Sequence, residues 1–184
     1  MTRLLAFLVT LLAIGTTPAL AQQVESFYTD LKLDLCTVLE ADDFGVSWVC
    51  PGFRGVPVYV SEGDLRFYVS FGLNADNEPA ASQTPPPFNT IGEKLEWRVA
   101  KVGGSLQPVA AILRYSVSNA EGDGNSDVLV VTRIAPGSTC HIAYVDAALN
   151  ADANELARQA ADDFAGSFDC DDEPVRYGDF AAWN

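Results

Sequence analysis

The chain has few residues of the types that most often hold zinc or act as a catalytic base. Its 184 residues include one histidine, His141, and four cysteines that form no C-x-x-C motif. Structural zinc sites need several such ligands at short spacing, and the G-x-S-x-G elbow of many serine hydrolases is also absent. We therefore expect no metal, no cofactor and no catalytic residue. His141 is interpreted as an ordinary histidine on the surface or on the second face of its strand.

Basic residues are scarce as well. The chain has 11 Lys and Arg against 25 Asp and Glu, which gives a net charge of −14 at pH 7. A surface of this sign repels phosphate backbones and anionic headgroups, so nucleic acid and anionic membranes are poor partners. The same charge keeps a protein soluble and speeds its encounter with a basic protein.

Long apolar runs occur only near the N-terminus. Residues 1–21 combine Arg3, an apolar stretch from Leu4 to Ile14, and the small-residue site Ala19-Leu20-Ala21, which is the pattern of a secretory signal peptide. The apolar stretch is shorter than the run of about 20 residues that a spanning helix needs. We expect residues 22–184 to form a single globular domain, periplasmic or secreted, that does not span a membrane.

The cysteines predict two disulfides, because an even number in an oxidising compartment is typical of a disulfide framework. The polar stretch 41–45 lies midway between Cys36 and Cys50. A hairpin that turns there places these two cysteines opposite each other, so we expect them to pair.

The second disulfide is predicted from the lengths of two elements. A strand from Cys140 to Asp146 rises about 20 Å. A helix from Asp152 to Phe168 returns about 25 Å. Cys170 then lies beside Cys140, so these two residues are expected to pair.

Alternating apolar residues predict several strands, and the best example is Asp64–Phe71. Val128–Val131 is apolar on both faces, as a central strand is. Similar patterns cover Leu95–Val99, Val109–Val117 and Ile142–Val145. The segment 74–88 is rich in proline and is predicted to be a long loop; a surface excursion is favoured over a functional segment.

One helix is predicted to begin with an Asp variant of the capping box at Asp152 and to end near Phe168. Ala157, Ala160 and Ala161 form a stripe of small residues that allows close packing on a sheet. The expected fold is therefore α+β: an antiparallel sheet of hairpins or a meander, with a C-terminal helix on one face and two disulfides as staples.

Arginines within the predicted strands are the candidate ligand-binding residues. If their strands are neighbours, Arg66, Arg98 and Arg114 converge and can bind a small anion such as a carboxylate or phosphate. Pairing within the protein is favoured over this interpretation, because Asp64, Glu96 and the acids of the helix are available as partners.

Two acidic segments are candidates for weak calcium binding. Residues 121–127 resemble the start of a calcium loop but lack its later glycine and glutamate, so a hairpin loop is favoured. The cluster Asp169, Asp171, Asp172 and Glu173 is interpreted as a solvated acidic end.

The composition and compartment favour a non-catalytic binding protein of unknown ligand, whose partner is a basic extracytoplasmic protein or a small anion. Two alternatives remain open. The first is an acidic inhibitor of a basic cell-wall enzyme such as lysozyme. The second is a small hydrolase that uses carboxylates, for which the abundance of acids leaves no particular residue to name.

Three stretches carry a resemblance. They run from Cys50-Pro51-Gly52 to Arg66, from Phe88-Asn89-Thr90-Ile91 to Arg98, and from Tyr144-Val145-Asp146 to Arg158. Together they cover about half of residues 22–184 and resemble small secreted proteins of alphaproteobacteria. The resemblance implies a bacterial periplasmic setting, and it implies no particular activity.

Overall fold

The computed structural model describes residues 24–119 and 124–183. The predicted signal segment, residues 1–21, and the first residues of the polar stretch 121–127 lie outside the described residues. The described part forms ten strands and one α-helix. The strands are β1 (Val24–Asp30), β2 (Thr37–Ala41), β3 (Gly45–Cys50), β4 (Val58–Gly63), β5 (Arg66–Phe71), β6 (Asn89–Val102), β7 (Ser105–Ser118), β8 (Asn125–Arg133), β9 (Cys140–Asp146) and β10 (Val175–Arg176), and the helix is α1 (Ala153–Phe164).

The strands form two sheets. A six-stranded sheet has the order β1-β6-β7-β8-β9-β10, and a four-stranded sheet has the order β2-β3-β4-β5. All neighbours are antiparallel except β10, which runs parallel to β9. A short turn connects β2 to β3, as the cysteine spacing predicted, and another connects β6 to β7. The antiparallel sheet and the C-terminal helix of the α+β prediction are confirmed.

The six-stranded sheet is covered on both faces. On one face, Trp97, Tyr115 and Val130 pack with Val60 and other residues of the four-stranded sheet. On the other face, the next set of side chains packs against the alanine stripe of α1: Ile112, Leu129, Val131, Ile142 and Val145 contact Ala157, Ala160 and Ala161. This arrangement explains why β8 is apolar on both faces, since successive side chains of a strand point to opposite sides.

Both predicted disulfides are confirmed. Cys36 is bonded to Cys50 and joins the start of β2 to the end of β3, with 4.5 Å between the Cα atoms. Cys140 is bonded to Cys170, with 5.8 Å between the Cα atoms, and joins the start of β9 to the chain that follows α1. The hairpin argument and the strand-then-helix argument therefore both give the observed pairing.

The helix is shorter than predicted and begins differently. It ends at Phe164 rather than Phe168, and Gly166, a residue of low helix propensity, follows within the next turn. Asp152 has φ −106° and ψ 24° and makes no side-chain cap hydrogen bond, so the predicted capping box is wrong. Its backbone is not in the extended conformation that aims a capping side chain at the first turn.

The proline-rich segment 74–88 is an ordered cover rather than a surface excursion. It contains two 3₁₀ turns, Ala75–Asn77 and Pro79–Ser82, and Ala80 within it is fully buried. The buried carboxylate of Glu78 accepts hydrogen bonds from two backbone N–H groups of the turn between β8 and β9, those of Gly137 (2.7 Å) and Thr139 (3.0 Å). The prediction of a loop was correct, but the prediction of a surface excursion was wrong. The hydrogen bonds of Glu78 join residues far apart in the chain, so the pattern of neighbouring residues does not reveal them.

Strand β5 begins two residues later than predicted, because Asp64 and Leu65 form a tight turn between β4 and β5. Both have left-handed backbone angles, with φ of 52° and 60°. A two-residue hairpin loop with two positive φ values is a type I′ turn, in which asparagine and glycine are the favoured residues. Leu65 is unusual there, and its side chain is 63% exposed.

We expect Leu65→Gly to stabilise the protein by about 0.5–1 kcal/mol in urea unfolding. The left-handed conformation costs an L-residue about 1–2 kcal/mol, and the extra freedom of glycine in the unfolded chain offsets about 0.5–1 kcal/mol of that gain. Leu73, which is exposed and has no positive φ, is the matched control. Leu73→Gly is expected to destabilise; equal effects of the two substitutions would contradict the argument.

Candidate functional site

A cleft of about 1120 Å³ lies between β5, the end of the proline-rich segment and the C-terminal segment. Four aromatic side chains line it: Tyr68, Phe88, Tyr144 and Trp183. Its charged lining consists of Arg66, Arg176, Asp171, Asp172 and Glu173. A concave surface with aromatic walls and a few charged groups is typical of a ligand site.

Asn89, the buried first residue of β6, fixes the proline-rich wall of the cleft. Its side-chain nitrogen donates to the hydroxyl of Thr84 (3.1 Å) and to the carbonyls of Pro85 (3.2 Å) and Pro87 (2.9 Å). Its side-chain oxygen accepts from the backbone N–H of Phe67 on β5 (3.0 Å). One side chain thus joins the wall to the strand that carries Arg66 and Tyr68, so the wall is positioned before any ligand arrives.

The C-terminal segment forms the opposite wall and packs on the fold. The Trp183 ring meets Tyr144 of β9 edge-on at 5.2 Å between centroids and meets Phe180 at 4.7 Å. The buried carboxylate of Asp146 accepts a hydrogen bond from the backbone N–H of Ala181 (3.1 Å). These contacts place Trp183 and Arg176 at the cleft.

Arg66 is the candidate arginine that the structure places in the cleft. It forms an ion pair with Asp64 through one terminal nitrogen. Its Nε is buried and has no hydrogen-bond partner among the described residues. The side chain as a whole is 30% exposed, so its accessible part can contact a ligand in the cleft. Arg176 also lines the cleft, with its guanidinium 5.1 Å from the centroid of the Phe180 ring.

Arg98 lies on the other face of the six-stranded sheet, under α1. Its guanidinium donates to both carboxylate oxygens of Asp162 on the helix (3.0 and 2.5 Å) and to the hydroxyl of Ser26 (2.6 Å). The neighbouring Glu96 accepts from Arg158 of the helix at 2.7 Å, a hydrogen bond that raises the pKa of the Arg158 guanidinium. Arg98 therefore holds the helix on the sheet rather than facing the cleft.

Arg114 pairs with Asp127 on the adjacent strand β8, with 3.2 Å between Nη1 and a carboxylate oxygen. Of the three candidate arginines, Arg66 lines the cleft and Arg98 and Arg114 do not. The structure therefore does not bring the three together in one anion site. The observed partners are of the kind that the alternative interpretation expected: Asp64 beside Arg66, and an acid of the helix beside Arg98.

His141 is buried in the protein interior, with 1% of its surface exposed. Cys140 belongs to the core under the helix, so His141 points to the second face, as the alternation of β9 predicted; the surface alternative is wrong. Its Nδ1 lies 3.1 Å from the Tyr144 hydroxyl, and its Nε2 has no partner among the described residues. Burial lowers the pKa of His141 to about 3 and raises the pKa of Tyr144.

Within residues 24–119 and 124–183, no group of three or more His, Cys, Asp or Glu side chains is arranged to hold a metal ion. The same residues contain no helix long and apolar enough to cross a membrane. No protein-family model, no curated protein and no solved structure matches the chain. The site must therefore be interpreted from its own geometry.

Sequence reasoning missed most of the residues that meet at the cleft. From the sequence, Tyr144 is predicted only as a strand residue and Trp183 only as part of the C-terminal tail. No sequence pattern indicates a functional role for Arg176. The available hint is the concentration of aromatic residues after Val175, which is more than a free end needs. Their meeting with Tyr68 and Phe88 depends on contacts between segments far apart in the chain.

The burial of His141 predicts a pH dependence of stability. Above pH 6.5 the side chain is neutral in both the folded and the unfolded chain. As the pH falls from about 6.5 to about 3, the unfolded chain binds a proton that the folded chain does not, so the free energy of unfolding falls by at most about 1.4 kcal/mol per pH unit. Below about pH 3 this contribution becomes constant.

We therefore expect the difference in stability between the wild type and His141→Gln to change between pH 6.5 and pH 3 and to be constant above pH 7. Urea unfolding at a series of pH values measures this difference. Carboxylates titrate in both proteins, and their contributions cancel in it. Parallel profiles for the two proteins would show that folding does not lower the pKa of His141 and would contradict the argument.

Proposed function

We propose that the protein is a non-catalytic binding protein of the periplasm or the extracellular medium, and that the cleft is its ligand site. Two disulfides support this setting, because such bonds persist in oxidising compartments. The signal pattern in residues 1–21 supports it from the sequence. The acidic composition suits a secreted protein that must remain soluble.

Binding without catalysis is favoured because the usual nucleophiles and bases are engaged elsewhere. All four cysteines are in disulfides. The lone histidine is buried, its ring hydrogen-bonds among the described residues to a tyrosine hydroxyl alone, and its pKa lies far below the range useful to a general base at neutral pH. The cysteines and the histidine are therefore used to build the fold.

The observation that carries the proposal is the partly exposed Arg66 side chain in the lining of an aromatic cleft. A carboxylate or phosphate oxygen is the strongest acceptor for a guanidinium N–H. Tyr68, Tyr144 and Trp183 supply flat apolar faces beside it. The matching ligand is a small organic molecule that carries an acidic group and a ring or apolar face, a class to which acidic muropeptides belong.

The carboxylates of Asp171, Asp172 and Glu173 set a limit on this ligand. They lie on the same cleft, so a ligand with several negative charges is disfavoured there. A single acidic group next to hydroxyl or amide groups fits better, because carboxylates accept hydrogen bonds from such donors. The mixed lining thus favours an uncharged body with one acidic end.

Thermal unfolding of the mature protein with N-acetylmuramyl dipeptide, glutarate and inorganic phosphate tests the proposal. We expect the muropeptide to raise the unfolding midpoint with increasing concentration, because ligands that bind only the native state stabilise it. Phosphate is expected to give the smallest shift. No shift with any of the three probes would contradict an acidic ligand in this cleft.

Arg66→Met is expected to weaken muropeptide binding by about 10-fold to 100-fold, the equivalent of a charged hydrogen bond. Arg114→Met is the matched control, because Arg114 is also paired with one aspartate but lies away from the cleft. Titration calorimetry compares the two variants. Equal losses of affinity would place the binding site elsewhere.

A further inference from the structure

Four exposed apolar side chains are concentrated at the hairpin formed by β2 and β3. Leu35, Val38, Leu39 and Phe44 are between 54% and 87% exposed. They lie within ten consecutive residues, and we refer to them as the hairpin patch. Single exposed apolar residues are common on proteins, but several of them on one hairpin favour an interaction surface.

The hairpin patch lies on an open sheet edge. Strand β2 is the first strand of the four-stranded sheet, pairs with β3 alone among the described strands, and has all five of its residues exposed. The opposite edge, β5, is covered by the proline-rich segment, whose Thr84 donates to the carbonyl of Phe67 (2.7 Å). One edge of this sheet is therefore closed, and the other presents backbone groups that a further strand can pair with.

The hairpin is held in position before any partner arrives. The Cys36–Cys50 disulfide fixes the end remote from the turn. At the turn, the Asp42 carboxylate accepts from the backbone N–H groups of Phe44 (2.8 Å) and Gly45 (3.0 Å). Such preorganisation lowers the entropy lost on binding, so a small patch can bind a partner without refolding.

Charge around the hairpin patch selects the partner. Residues 33–53 contain four acids, Asp34, Glu40, Asp42 and Asp43, and no lysine or arginine. Glu62 of β4 joins Glu40 and Phe44 at a hollow of about 290 Å³ on this surface. A second copy of the chain would bring the same acids to the contact and be repelled, whereas a basic partner would be attracted.

A β-bulge between Val38 and Glu40 interrupts the regular edge. Bulges of this kind oppose indiscriminate edge pairing, because they disturb the spacing of the backbone groups that a flat incoming strand would use. A partner must then match one register, which gives the edge selectivity in addition to its charge preference.

From these observations we infer that the β2–β3 hairpin is a docking surface for a basic protein, which adds an extended segment of alternating Lys or Arg and apolar residues to the outer edge of β2. The apolar residues of that segment contact the hairpin patch, and its basic residues face Glu40 and Asp43. The inference uses no residue of the cleft, and either site can be present without the other.

The experiment uses the mature protein and a labelled ten-residue peptide of alternating Lys and Val, with a Glu-Val peptide as the charge control. We expect fluorescence anisotropy to show binding of the Lys-Val peptide that weakens at high salt, and no binding of the Glu-Val peptide. Hydrogen exchange is expected to show slower exchange in residues 37–44. Slower exchange in residues 169–173 instead, or no binding of the Lys-Val peptide, would overturn the inference.

Variants separate the hairpin patch from general charge attraction. Phe44→Ser combined with Leu39→Ser is expected to reduce affinity for the Lys-Val peptide by about tenfold or more. Leu73→Ser, at a side chain that is 95% exposed elsewhere, is the matched control and should leave affinity unchanged. Because Phe44 and Leu39 are exposed, the variants should unfold at nearly the wild-type temperature, which thermal unfolding checks.

Charge reversal gives the second test. Glu40→Lys with Asp43→Lys should abolish peptide binding, and the matched pair Glu25→Lys with Asp76→Lys, at two exposed acids away from the hairpin, should change it little. Equal losses from both reversals would mean that net charge alone attracts the peptide, and the inference would fail. Sedimentation of the wild type should show no self-association through this edge; a dimer that Phe44→Ser disrupts would identify a second copy as the occupant and overturn the basic partner.

Discussion

The six-stranded sheet has two apolar faces, and the rest of the structure follows from the need to cover both. Strand β8 is the clearest case, because Val128 and Val130 face the four-stranded sheet and Leu129 and Val131 face the helix. Leaving either face in water would expose several fully apolar side chains, each worth about 1.5–3 kcal/mol on burial. The helix covers one face and the second sheet covers the other, so the central sheet is an interior layer.

The two covers are attached by different means. The alanines of α1 let the helix approach the sheet closely, and polar links at its edge, Arg98 to Asp162 and Arg158 to Glu96, fix its position. The four-stranded sheet packs through large side chains such as Trp97 and Phe71, whose rings meet edge-on. The proline-rich segment closes the β5 edge through Thr84, which donates to Phe67, and Glu78 ties the segment to the turn between β8 and β9. Polar side chains thus hold the covering elements in place at their edges.

Both proposed binding surfaces lie where this coverage ends. The cleft is found where the proline-rich segment and the C-terminal segment approach each other without meeting, above Tyr144 of β9. The hairpin patch lies on β2, beyond the buried part of the four-stranded sheet. The two surfaces differ in chemistry. The cleft combines arginines with aromatic rings and acids, and the hairpin combines apolar side chains with acids. A rigid interior layer with different peripheral surfaces can bind a small ligand and a protein independently.

Periodicity and spacing in the sequence determined the α+β class, most strands, the alanine face of the helix and both disulfide pairs, because these depend on neighbours within one element, one hairpin, or one strand and the helix that follows it. The extent of the helix, the turn at Asp64 and Leu65, and the packing of segment 74–88 needed tertiary contacts. The same holds for the arginines: local alternation placed Arg66, Arg98 and Arg114 on strands, but the division of the strands between two sheets separated Arg66 from the other two. Which side chains share a site is decided by the layer arrangement, because contacts such as Tyr144 with Trp183 join residues whose sequence positions carry no information about each other.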